Sequence, residues 1–280
     1  MEERMKKMLI LVSLLLTAGL VFAGGQQAAE SSDGFSGNYA FGGSTTLEGF
    51  LRPAIDEFTE MHPGVTISYD APGSSAGVKG ALDGTYNLGA ASRKIKDSEK
   101  ADGAVPVVVA LDGVAVVVNK ESVTIGNLGM EQIQKIFSGE ISNWSAVGGP
   151  NAQIVVVNRD EASGTRAAFG DIVLGKAKFT DKAIITTGNG DMVSKVGSTP
   201  YAIGYCGFAY IDREPGTKAV TVEGVEPTME NVLSETFPIQ RPLNMVHTGD
   251  LDKVEQAFLD YLLSEDGQAI IEEEGFISIK

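Results

Sequence analysis

The sequence predicts an α/β protein in which strands alternate with helices and two long extended stretches cross between lobes. Three observations carry this expectation. Apolar runs such as Ile154-Val155-Val156-Val157 end in glycine- and hydroxyl-rich loops, and helical patterns follow those loops. Val105 to Val118 is apolar except around Asp112-Gly113, and Phe237 to Val246 is a second extended stretch that Pro242 keeps from being helical. The 280 residues, 43% apolar and 21% charged, suffice for one large domain or for two lobes with separate cores.

The N-terminus stands apart. Arg4, Lys6 and Lys7 precede the apolar run Met8 to Phe22, and Val21-Phe22-Ala23 offers a cleavage site. Residues 1–23 therefore read as a secretory signal peptide, too short for a membrane span. Residues 24–36 read as a flexible tether. Cleavage would leave 35 acids against 19 bases, a net charge of −16. No basic field exists to displace the counterions of a nucleic acid. A bound anion would have to be held by local dipoles and one or two arginines. Cys206 is the only cysteine, so no intrachain disulfide forms and no lipid acceptor follows the cleavage site. A freely diffusing, periplasmic protein is expected.

The elements follow in order. Tyr39-Ala40-Phe41 leads as a strand into Gly42-Gly43-Ser44-Thr45-Thr46, and Leu47, Phe50, Leu51, Ile55, Phe58 and Met61 share one helical face. Thr45 with Glu48 fits a capping box, while Pro53 should kink this helix or delay its start. Val65 to Tyr69 is a strand, Pro72 to Gly77 a turn, Val78 to Leu82 a short helix, and Leu88 to Ala91 a strand ending at Ser92-Arg93. Asp112-Gly113 suits either a tight hairpin or the hinge of one long crossing, and the crossing is favoured. Met130 to Phe137 is a helix, and Trp144 reads as core. A polar loop from Thr186 to Asp191 precedes the helical Met192 to Val196, and Tyr201 to Tyr205 is a strand. Asp250 should cap a C-terminal helix that turns Val254, Phe258 and Leu262 inward.

Four loops carry the chemistry: Gly43-Ser44-Thr45-Thr46, Gly73-Ser74-Ser75-Ala76-Gly77, Ala91-Ser92-Arg93, and Arg159-Asp160-Glu161-Ala162-Ser163-Gly164-Thr165. The last lies between a strand and a helix, where N–H groups lack intrahelical partners and the helix dipole favours an anion. Ser163 and Thr165 add hydroxyls, Gly164 allows close approach, and Arg159 supplies a planar cationic fork. A simple helix cap would explain one hydroxyl and leave Arg159 without a purpose. For Ser44-Thr45-Thr46, capping and anion binding are equally good readings.

In this order and spacing, the four loops resemble those of the phosphate-binding subunit of bacterial phosphate ABC transporters. Arg159 followed by Ser163-Gly164-Thr165 is similar to that family's R-x-x-x-S-G-T element. Lys135 to Trp144 and Pro200 to Tyr205 also look like family signatures. The resemblance implies a two-lobed periplasmic binding protein fold, two α/β lobes joined by extended hinge crossings. Lobe 1 would hold residues 37–115 and 239–280, and lobe 2 residues 116–238. It implies phosphate contacts from Ser44, Thr45, Thr46, Ser74, Ser75, Ser92, Arg159, Ser163, Gly164 and Thr165. It further implies a monomer that serves ABC permease subunits, with no catalysis, metal or cofactor. One departure stands out: some members have an aspartate where this chain has Ser92, and that carboxylate accepts the phosphate proton. Here a hydroxyl, a backbone carbonyl, or Asp160 or Glu161 would have to replace it.

The alternatives are other tetrahedral oxyanions, such as sulfate or molybdate, and an α/β-hydrolase. Gly73 to Gly77 matches G-x-S-x-G, which would make Ser75 a nucleophile with His247 following in triad order. No oxyanion-loop motif accompanies it. Two isolated histidines and one cysteine form no metal cluster, and no phosphate-binding loop of the nucleotide type occurs.

Overall fold

The computed structural model describes residues 34–280. The predicted signal peptide and residues 24–33 of the tether lie outside the described residues. At the tether's end, the Phe35 ring packs edge-on against His62 with centroids 4.9 Å apart.

The chain opens with β1 (Gly37–Gly43), α1 (Glu48–Met61), β2 (Val65–Asp70), α2 (Ser74–Asp83), β3 (Leu88–Ala91) and α3 (Asp97–Ala101). The long strand β4 (Val105–Asn119) carries it into a second group. This holds β5 (Asn127–Leu128), α4 (Met130–Ser138), β6 (Val155–Arg159), α5 (Gly164–Phe169), β7 (Ile184–Thr186), α6 (Asn189–Ser198), β8 (Ala202–Gly207), β9 (Thr217–Ala219), β10 (Thr221–Val222) and α7 (Met229–Leu233). Strand β11 (Gln240–His247) leads back to α8 (Lys253–Leu262) and α9 (Glu265–Glu273).

The main sheet runs β2-β1-β3-β11-β4-β8-β6-β7, with β9 beside β4. Its outer strands are parallel, while β4 and β11 run antiparallel to their neighbours. The first half of β4 pairs with β11 and the second half with β8. Asp112 stands between the halves, opposite Arg241. The molecule is thus an α/β fold of two lobes joined by β4 and β11. The hairpin reading fails because a tight two-residue turn needs positive φ, and Gly113 has none. That glycine serves a different purpose: a Cβ there would lie 2.2 Å from the Phe208 ring.

Each lobe has its own core. Phe41, Phe50, Phe58 and Phe258 centre one, and Phe137, Trp144, Phe169 and Tyr205 centre the other. Tyr205 stacks on Phe169 with centroids 4.2 Å apart, and Trp144 is fully buried, as expected of a core residue.

Several local expectations shift. The expected Thr45 cap is absent: Leu47 precedes α1 with no side-chain cap, and Ser44 Oγ accepts the N–H groups of Thr46 and Leu47 at 3.1 and 3.4 Å in the turn that leads into the helix. Pro53 lies inside α1, and the helix continues to Met61. Helix α2 begins at Ser74, four residues earlier than expected, so Ser74 and Ser75 already belong to its first turn. Asp252, not Asp250, caps α8 by accepting the N–H groups of Val254 and Glu255 at 2.8 Å.

Candidate functional site

Parallel strands end where their loops gather, and ligands of open α/β sheets bind at such carboxyl ends. Strands β1 and β3 end at Gly43 and Ala91, while β6 and β7 end at Arg159 and Thr186. These ends converge in the cleft between the lobes. The Thr46 and Thr165 hydroxyls, 119 residues apart in sequence, lie 3.3 Å apart. The Ser74 and Ser92 hydroxyls are also 3.3 Å apart, and Ser74 Oγ accepts the Ser92 N–H at 3.0 Å. The Ser75 N–H donates across the cleft to the Ala162 carbonyl at 3.1 Å. All four predicted loops therefore meet.

Gly164 shows how tightly. A Cβ at that position would lie 2.1 Å from Ser74 Oγ and 2.7 Å from Ser92 Oγ. No side chain fits there while the walls stand this close, so the glycine is a steric requirement of the closed cleft. Gly73 (φ +112°) faces the same wall, where a Cβ would lie 2.7 Å from the Ala162 carbonyl.

Arg159 sits under these hydroxyls and is 1% exposed. It is the last residue of β6, and Asn158 Oδ1 accepts its N–H at 2.9 Å. Its Nη2 donates to Thr45 Oγ1 at 3.3 Å and to the Thr187 carbonyl at 2.8 Å. Its Nε and Nη1 are buried and have no partner. Burial pulls its guanidinium below the ordinary arginine range, against the opposing effects of Tyr205 and Asp160, and the nearby Arg241 charge adds to the pull. Buried guanidinium donors are costly when unanswered, so this fork is built for an acceptor.

The remaining predicted residues take two positions. Ser44 and Ser163 use their oxygens locally, Ser44 in the turn before α1 and Ser163 as the cap of α5, accepting the Arg166 N–H at 3.2 Å. Ser75 is half-buried, and Ser92 is buried. Arg93, in contrast, turns away from the loops and makes a two-pronged ion pair with Glu99 at 2.7 and 2.8 Å.

Three residues escaped the sequence reading. Asn189, the first residue of α6, donates to Thr46 Oγ1 at 3.0 Å and accepts the Gly207 N–H at 3.3 Å. Asp112 and Arg241 form a buried ion pair at the two crossings, 2.6 Å at its shortest. The available signal was a lone carboxylate inside the otherwise apolar run from Val105 to Val118, with a lone arginine in the return crossing.

The hydrolase reading finds no geometry. His247 pairs with Val105 at the end of β11 remote from Ala91, and its Nδ1 meets the Gly249 carbonyl at 3.1 Å. The hydroxyl loops lie at the opposite end of that ladder. Among the described residues no group of His, Cys, Asp and Glu could hold a metal ion, and no helix is long and apolar enough to cross a membrane.

Comparison with known proteins fits this geometry. Residues 28–266 match the model of a PBP superfamily domain. The chain is 34% identical to the phosphate-binding protein PstS of Borreliella burgdorferi, over 99% of this chain and 100% of the relative. It is 31% identical to PstS of Bacillus subtilis, over 99% and 95%. Among solved structures, a putative phosphate ABC transporter substrate-binding protein from Clostridium perfringens, with bound phosphate, superposes with a TM-score of 0.82. That protein is 38% identical, and the match covers 87% of this chain and 100% of the other. An ABC-type phosphate transport receptor from Vibrio cholerae gives a TM-score of 0.74 at 28% identity, covering 85% and 99%.

Proposed function

The chain belongs to the PBP superfamily, among the phosphate-binding proteins of ABC transporters, and from that premise we propose that it binds inorganic phosphate between its lobes for uptake. It is a carrier rather than an enzyme. The observation that carries the reading is the pair of unanswered Arg159 donors, buried where loops from both lobes meet.

Thr45, Thr46, Ser74, Ser75 and Ser92 form one wall, and Arg159, Ser163, Gly164 and Thr165 form the other. Lobe closure turns both sets of donors onto one tetrahedral anion. The Gly164 and Thr165 N–H groups belong to the first turn of α5, where intrahelical partners are missing. The Ser44 and Ser163 oxygens already accept backbone N–H groups, which leaves their protons for the ligand. Neutral donors in a dry cleft bind strongly while closed and release the anion when solvent enters. Micromolar affinity requires about −8 kcal/mol, within reach of several charge-assisted hydrogen bonds after dehydration.

The lobes in this reading comprise residues 37–115 with 239–280, and residues 116–238. The signal at residues 1–23 directs the chain to the periplasm, where it works as a monomer and delivers phosphate to permease subunits in the inner membrane. Calorimetry with phosphate, sulfate, molybdate and a phosphonate tests the ligand. Phosphate binding in the micromolar range or tighter, with the others weaker, is expected. A protein that ignores phosphate, or that prefers sulfate, would sink the reading.

A further inference from the structure

The Asp112–Arg241 ion pair belongs to none of the four loops, yet its unpaired side reaches two of their hydroxyls. The residues face each other across the β4–β11 ladder and are 1% and 3% exposed. Asp112 Oδ2 accepts Arg241 Nε at 3.1 Å and Nη2 at 2.6 Å, and Oδ1 accepts the Phe208 N–H at 3.1 Å. Burial of such a pair is a poor argument for a purely stabilising role, since apolar residues of similar volume often do as well or better.

Its purpose lies in the donors that Asp112 leaves over. Arg241 Nη1 donates to the Ser92 carbonyl at 3.1 Å and to Thr165 Oγ1 at 2.8 Å, and Nη2 donates to Thr46 Oγ1 at 3.2 Å. Asn189 Nδ2 adds a second donor to Thr46 Oγ1 at 3.0 Å. A threonine hydroxyl offers two lone pairs and one proton. Thr46 Oγ1 receives two N–H donors, so its only remaining action is to donate. Thr165 Oγ1 receives one from Arg241 and lies 3.3 Å from Thr46 Oγ1. When Thr46 donates to Thr165, both Thr165 lone pairs are filled and the Thr165 proton must point elsewhere. In either arrangement the pair of hydroxyls presents a proton away from the arginine.

We propose that Arg241, clamped by Asp112, is a positioning residue that occupies a lone pair on each of the Thr46 and Thr165 hydroxyls and thereby turns a proton of the pair towards the bound oxyanion. The clamp also neutralises the guanidinium, so the arginine orients donors without adding a second net charge to hold the ligand. This corner of the cleft then offers only donors and favours an ionised oxygen. The proposal rests on the phosphate reading above.

A double-mutant cycle read by phosphate calorimetry tests it. The paired replacement Asp112→Asn with Arg241→Gln removes the donor fork without changing net charge, so no long-range field change confuses the result. It should weaken phosphate about tenfold in the otherwise unchanged protein, but at most about threefold when Thr165→Val has already removed the hydroxyl. Combined with Ser75→Ala, whose hydroxyl Arg241 does not touch, the same pair should act additively. Equal losses with and without Thr165, or equal coupling to Thr165 and Ser75, would overturn the proposal, the latter because general loosening touches both alike. Should the paired variant not fold, Arg241→Lys with Asp112 retained replaces it in both cycles, with the same outcomes decisive. Failure of the unchanged protein to bind phosphate would strike the ligand assignment instead, before any cycle begins.

Discussion

Arg93 and Arg159 are both 1% exposed and both lie at the carboxyl end of a strand, yet they do opposite things. Arg93 meets the Glu99 carboxylate with both terminal nitrogens and leaves only Nε without a partner. Arg159 meets one hydroxyl and one carbonyl, and leaves Nε and Nη1 without partners among the hydroxyls of the cleft. Burial of a cation therefore does not mark a binding site. What marks it here is a guanidinium that pairs with no carboxylate among the described residues and leaves two donors open, the terminal Nη1 among them, whereas Arg93 leaves only Nε.

The largest expected effect separates the two arginines directly. Arg159→Ala should weaken phosphate by about 3 kcal/mol, because the only net positive charge aimed at the ligand is lost. Its urea midpoint should stay near that of the unchanged protein; unaltered affinity would erase the distinction. Arg93→Ala should do the reverse, costing about 2 kcal/mol of stability by stranding the half-buried Glu99, with phosphate affinity within about twofold. An affinity loss rivalling that of Arg159→Ala would place Arg93 in the site after all. Gly164→Ala should weaken phosphate by about 1–3 kcal/mol, since its methyl meets Ser74 and Ser92 only when the walls close. Small-angle scattering should then show the variant remaining open in saturating phosphate, and normal closure would refute the steric account.

The smallest effect concerns pH. Burial opposes ionisation of Glu99, but the Arg93 fork and the Lys96 N–H outweigh it and hold the carboxyl below its usual range. A folded value below the unfolded one gives stability that is complete above the unfolded value and lost as pH falls through the folded one. The stability gap between the unchanged protein and Glu99→Gln should accordingly shrink on acidification. A gap that widens in acid would contradict the assignment. Phosphate binding at Arg159 should not track this change.

Much of the cleft was legible because hydroxyl, glycine and arginine residues after apolar strands have few other physical uses in such density. The Arg159-to-Thr165 loop reads as a candidate anion site from its residues alone, and the structure brings it against the other loops. Asn189 was not, since one asparagine in a Gly/Asn loop looks like turn chemistry. The C-terminal cap moved from Asp250 to Asp252, and Ser44 instead of Thr45 holds the turn before α1, because nearby polar residues compete for the same N–H groups and side-chain reach decides.

By itself the sequence determined the α/β alternation, the two crossings and the residue types that a tetrahedral anion requires. These follow from local periodicity and from chemistry carried on each side chain. Only the tertiary structure decided which arginine is satisfied and which is left facing the cleft, and that Asp112 and Arg241 meet across the crossings. Partner choice between residues over a hundred positions apart depends on strand register, and register is set by the packing of whole lobes.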